Sequence, residues 1–136
     1  LTKSLLKGVS PLNPYKIKFL QEAELEFKTL DNNLFLKASK VLTKLSQDPF
    51  AYSAPLGQKM NLNLTGLRKA YVDDKRIRIV FMILENRLII LVISVNKRDK
   101  GKVYHLTQKR IDIYQSLFDK LKCTNLALDE IFKEPS

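Results

Sequence analysis

One stretch constrains the chain more than any other. From Arg76 to Leu84 the residues alternate, with Ile77, Ile79, Phe81 and Ile83 on one side and Arg76, Arg78, Val80 and Met82 on the other. That is the period-two pattern of a half-buried strand. Glu85 and Asn86 follow, and Leu88 to Val95 is then apolar except for Ser94, as expected of a central strand covered on both faces. Asn tolerates positive φ, so the pair reads as a tight two-residue hairpin. Such a turn puts Arg78 opposite Ile93 and Arg76 opposite Val95. The sheet face carrying Arg78 is then apolar in its middle and basic toward one end, and the apolar part needs a cover.

The flanking segments supply candidates for that cover. Tyr15 to Phe19 alternates as a short strand. Ala23, Phe27 and Leu30 stand at helical spacing, Asp31-Asn32-Asn33 forms a turn and N-cap, and Leu34, Ala38, Val41, Leu42 and Leu45 make a second apolar stripe ending before Asp48-Pro49. Two helices with a short break predict a helical hairpin. A loop holding Pro55, Gly57 and Gly66 leads to a strand over Leu67 to Val72. Tyr114, Leu117, Phe118 and Leu121 repeat at i, i+3, i+4 and i+7, which predicts a C-terminal helix over the apolar part of the second sheet face. The expected class is α+β: a small antiparallel sheet with an N-terminal helical hairpin and a C-terminal helix, in the order β-α-α-β-β-β-α. Residues 1–14 read as an extension, 15–121 as the domain and 122–136 as a second extension.

Charge narrows the function. The chain of 136 residues carries +10, and thirteen basic side chains against four acidic ones fall between residues 59 and 110. A cluster of this kind attracts polyanions, either nucleic acid or an acidic protein segment; a merely solvated surface is the plain alternative. An apolar run of eight residues is far short of the roughly 18–20 that cross a bilayer, so no membrane partner is expected. No apolar leader opens the chain, and its single cysteine, Cys123, excludes an intrachain disulfide and suits a reducing compartment. The expectation is a cytoplasmic protein. With one His and one Cys an all-protein zinc site is not expected.

Specific strings then acquire meaning through their order. "SQDPF" closes the second helix and is followed by "LNLTGLRKAYV", "KRIRIVFMI", "RLIILVISVNKRDKGKVY" and "LTQKRI". Over roughly residues 15–114 the chain resembles the RelE/ParE superfamily of bacterial toxins. In its RelE branch the resemblance implies a toxin that enters the ribosomal A site and cuts mRNA, contacting 16S rRNA. It also implies an acidic antitoxin that wraps and silences the toxin, and no metal or small-molecule cofactor. Residue by residue it points to Arg78 on the sheet, Arg98 after the last strand, Tyr104 at the start of the terminal segment and Lys69 on the preceding strand. The second lysine of that strand is replaced here by Tyr71. The neighbouring Arg68, Lys75, Arg76, Lys97, Lys100 and Lys102 would add RNA-binding charge.

The implied chemistry is self-consistent. RNA is cut without metal when its 2′-hydroxyl attacks the adjacent phosphate. This requires a proton acceptor, cations for the developing negative charge and a proton for the leaving 5′-oxygen. Arginine offers a fixed fork of donors to phosphate. A tyrosine or lysine serves as base when neighbouring cations lower its pKa. Tyr104 is the expected base or hydroxyl-orienting group, Arg78 the phosphate clamp, Arg98 a charge-stabilising or leaving-group residue, and Lys69 a source of positive potential. His105 and Cys123 read as structural. Two alternatives stay open: a ParE-like DNA gyrase inhibitor without nuclease activity, favoured slightly by Tyr71, and a non-toxic basic RNA- or protein-binding domain.

Overall fold

The computed structural model of the chain describes residues 14–59, 62–97 and 102–116. Strand β1 (Lys16–Phe19) leads into helix α1 (Gln21–Lys28) and, after a break at Thr29 and Leu30, helix α2 (Asn32–Gln47). Glu22 and Glu24 lie in the first turn of α1 and Lys28 in its last, each sign at the helix end it stabilises. The Asp31 side chain caps α2 by accepting from the Leu34 amide at 2.9 Å. Helix α2 buries Leu34, Ala38, Leu42 and Leu45 and ends at Asp48, ahead of Pro49, as the helical stripes predict.

Four further elements follow: β2 (Ala54–Lys59), β3 (Leu62–Val72), β4 (Ile77–Leu84) and β5 (Ile89–Lys97), and then helix α3 (Lys102–Ile113). The five strands form one sheet in the order β1-β5-β4-β3-β2. The α+β class holds, yet the sheet is mixed rather than antiparallel, because β1 runs parallel to β5 with Lys16 opposite Ile89 and Phe19 opposite Val92. The helical hairpin carries the chain away from β1, which fills the edge of β5 that β4 leaves open.

The segment read as a loop is also a strand. β2 pairs antiparallel with β3 from Leu62 to Lys69, and the register shifts between Pro55 and Gly57. Gly57 has φ +63°, a conformation that suits a bulge without a side chain. The period-two signal is broken there, and an edge strand tolerates the break.

The β4–β5 hairpin corrects a second expectation. Its connection is a 3-10 turn over Glu85–Arg87 plus Leu88 in the left-handed region at φ 53°, so Leu84 pairs with Ile89. A further register shift between Val80 and Phe81 skips Ile93, and Arg78 ends opposite Asn96, not Ile93. On its other side Arg78 pairs with Tyr71 of β3. The arginine therefore sits in a polar row across three strands.

Alternation gives the sheet two covered faces. Ile77, Ile79 and Phe81, all fully buried, share one face with Ala70 and Val72 of β3 by register and are covered by the α1–α2 hairpin. Arg78, Val80 and Ser94 share the other face, against α3, where the Ser94 and Thr107 hydroxyls lie 3.3 Å apart. Helix α3 begins earlier than the apolar stripe predicts and packs through Tyr104, Thr107 and Arg110. Of the residues expected to cover this face, Tyr114 packs against the core, whereas Leu117, Phe118 and Leu121 lie outside the described residues, as do nearly all of 1–14 and the whole of 122–136.

The end of β5 beyond β1 would be an open edge with unpaired backbone groups. Glu26 of α1 and Arg110 of α3 close it. Glu26 accepts from the Val95 amide (3.0 Å) and the Asn96 side chain (2.9 Å). Arg110 holds both carboxylate oxygens through two bonds of 2.7 and 2.6 Å and also donates to the Ile93 carbonyl at 2.9 Å.

Candidate active site

The polar row on the α3 face is where the cations gather. Strand alternation sends Lys69 and Tyr71 of β3 to the same face as Arg78 of β4, and Tyr104 enters from the first turn of α3. Arg78 is only 4% exposed. Its guanidinium carbon lies 4.5 Å from the centroid of the Tyr104 ring and 5.3 Å from that of Tyr71. The two rings thus hold it by cation–π contact, and Nη2 donates to the Tyr71 hydroxyl at 3.3 Å. Among the described residues no carboxylate pairs with Arg78, and its Nε has no acceptor.

Tyr71 is the centre of the cluster. The Lys69 and Lys75 ammonium groups stand 5.4 and 5.5 Å from its ring centroid, and the Arg78 guanidinium is the third cation beside it. Burial by itself would push the phenol up. Hydrogen bonds from Lys69 and Arg78, together with their charges, outweigh burial and bring it down to about 8. A phenol with this value is partly ionised near neutrality.

The turn that delivers Lys75 is strained. Asp73, Asp74 and Lys75 all have positive φ, at 54°, 54° and 72°, a region that side chains with a Cβ rarely occupy. Asp73 is held there by Lys37 at 2.6 Å and Arg76 at 3.1 Å, and the Lys37 ammonium is the leading reason its carboxyl ionises below the usual range.

The structure brings together Lys69, Lys75, Arg78 and Tyr104 of the residues singled out in the sequence. Arg68 does not join them. Alternation turns it to the opposite face, where it donates to the Ser53 hydroxyl (2.7 Å) and carbonyl (3.1 Å) and stacks 5.2 Å from the Phe50 ring; it braces the α2–β2 connection. Arg76 is engaged with Asp73, and Lys97 lies opposite Ile77, off the row of Arg78. Arg98 and Lys100 lie outside the described residues, and Lys102 is described only as the first residue of α3. His105 is exposed beside the buried Tyr104. Tyr71 is the member that pattern matching missed, because it was read as a missing lysine. Its spacing of two from Lys69 on one strand was the available signal.

Three cations around two phenols suit a phosphodiester: they attract its charge, offer a guanidinium fork and keep a titratable hydroxyl beside it. Among the described residues no group of three His, Cys, Asp or Glu could hold a metal, and no helix is long and apolar enough to cross a membrane.

Comparison with known proteins gives a consistent answer. No family model matches the chain. A RelE-like toxin protein of Escherichia coli is 30% identical over 100 residues, which span 71% of this chain and 97% of the relative. The free state of a doubly substituted E. coli toxin RelE superposes with a TM-score of 0.57 at 23% identity, covering 71% of this chain and 97% of that one. The RelBE toxin–antitoxin complex of Mycobacterium tuberculosis contains a chain that superposes with a TM-score of 0.54 at 20% identity, covering 62% and 99%.

Proposed function

Since the chain belongs to the RelE-like toxins, we propose that it is the toxin of a toxin–antitoxin pair and acts as a metal-independent endoribonuclease on mRNA held in the ribosomal A site. The observation that carries this reading is Arg78, buried between Tyr71 and Tyr104 with two lysines beside it. A protein that only recognises another protein has little use for a buried, ring-clamped guanidinium that no carboxylate among the described residues pairs, which costs stability and suits a phosphate.

In this mechanism Arg78 clamps the scissile phosphate and Lys69 adds positive potential. Arg98 stabilises charge on the leaving side, and Tyr104 orients the reacting groups. Among the described residues no carboxylate pairs with Arg78, and in this reading part of the geometry comes from the way the ribosome presents the message. The partner is an acidic antitoxin that folds on contact with the basic surface, as the solved complexes of structurally similar toxins with their antitoxins suggest. The site of action is the cytoplasm, where ribosomes and mRNA meet.

The test is primer extension on mRNA from cells induced to express the chain. New mRNA ends should appear in the parent, and Arg78→Ala should lower their yield on the order of 100-fold, the scale for losing a charge-stabilising donor. Growth arrest without new ends would defeat the nuclease reading, and gyrase–DNA cleavage complexes would then be the thing to look for.

A further inference from the structure

We infer that the hydroxyl of Tyr71 accepts the 2′-hydroxyl proton of the RNA, and that Tyr104 is a positioning residue whose ring holds Arg78. This deepens the nuclease reading and rests on it.

The two tyrosines differ in what surrounds them. Tyr104 is 8% exposed, and its ring backs the guanidinium at 4.5 Å. Tyr71 is only partly buried, so the residue meets the surface from which a strand would approach. That hydroxyl is already bonded to Arg78 Nη2, the group that would grip the phosphate. In RNA the attacking hydroxyl is adjacent to the scissile phosphate, so a base bonded to the phosphate clamp is within reach of it. Lys69, Lys75 and Arg78 stand 5.4, 5.5 and 5.3 Å from the ring centroid, and three cations this close favour the phenol's negative form.

The ionisation fits the task. With the phenol at about 8, roughly a tenth is ionised at pH 7, against about a thousandth for an ordinary tyrosine. The step balances with no metal or oxidant. The Tyr71 phenolate takes the 2′-hydroxyl proton, the 2′-oxygen bonds to phosphorus, and the bond from phosphorus to the 5′-oxygen breaks. That oxygen takes a proton from water. The products are a 2′,3′-cyclic phosphate and a 5′-hydroxyl.

Two measurements test this. In single-turnover cleavage of mRNA on programmed ribosomes, the parent rate should climb about tenfold per pH unit and level off near pH 8. Tyr71→Phe should lose on the order of 100-fold or more, and the bend with it. Tyr71→Lys should recover much of the rate, with the bend moved to the lysine's own ionisation. Tyr104→Phe keeps the ring and should keep both the bend and most of the plateau, whereas Tyr104→Ala should lower the plateau and keep the bend. Separately, near-ultraviolet absorbance titration of the folded protein should show one phenolate forming near pH 8 that Tyr71→Phe lacks. A Tyr71→Phe protein that cleaves at nearly the parent rate with the same bend, or a parent with no tyrosine titrating near 8, overturns the assignment and leaves the nuclease reading standing. A parent inert on programmed ribosomes defeats both.

Discussion

Arg78 carries a full charge where water hardly reaches, with lysines nearby and, among the described residues, no carboxylate paired with it. Such a residue lowers stability, since neither its solvation nor its Coulomb energy is recovered on folding. Arg78→Met keeps the stem's packing and removes the charge. It should raise stability by about 1–2 kcal/mol in urea unfolding while abolishing cleavage, the trade expected at a functional position. The two tyrosines give opposite signs with pH. The Tyr71 phenol ionises from about 8 when folded and from about 10 when unfolded. The unfolded chain therefore holds the extra proton between these values, and stability rises from pH 8 to 10 relative to Tyr71→Phe. Tyr114 is pushed up to about 12 by burial and by donating to Glu22 at 2.7 Å. Here the unfolded chain loses its proton first, and stability falls from pH 10 to 12 relative to Tyr114→Phe. Urea midpoints across that range check both slopes. At this scale the sequence was only half legible. Arg78, Lys69 and Tyr104 are visible as members of a family pattern, but the difference between adjacent Arg68 and Lys69 comes from which side of the strand each occupies. Tyr71 departs from the pattern, and only its neighbours reveal it as a chemical group.

At the scale of elements, the Glu26–Arg110 pair joins α1, β5 and α3. Arg110 retains 9% of its side-chain exposure and Glu26 19%. Removing one member strands a nearly buried charge and frees the edge of β5, so Arg110→Ala should cost about 3–5 kcal/mol. Combining it with Glu26→Gln should cost much less than the sum, which a double-mutant cycle in urea would show. Nothing local in the sequence announced this pair; its members stand far apart in the chain and meet only because β5 lies between their helices. The α1–α2 hairpin was legible because a 3.6-residue stripe and an Asp cap are local signals. Strand β2 was not, because Pro55 and Gly57 obscure alternation that an edge strand can do without. The hairpin register also escaped: Leu88 adopts the left-handed conformation that a leucine in an apolar run gives no reason to expect.

For the whole molecule, +10 predicts that the proposed association with RNA is governed by salt. Lys69, Lys75 and Arg78, if each meets one phosphate, should give a log–log slope of about −2 for single-stranded RNA, and Lys69→Ala should reduce its magnitude by about 0.7; fluorescence anisotropy across ionic strengths measures both. The sheet topology has its own consequence in time. Strand β5 occupies the slot between β1 and β4, so among the described strands the earliest in the chain, β1, waits for the latest before it has a partner, and the Tyr104 wall of the site follows later still. Long-range pairing of this kind closes slowly. A polypeptide whose synthesis stops before β5 has neither the middle of its sheet nor the ring that backs Arg78. Under the proposed nuclease reading, translation products abandoned before α3 lack the assembled cluster and spare the ribosomes that made them.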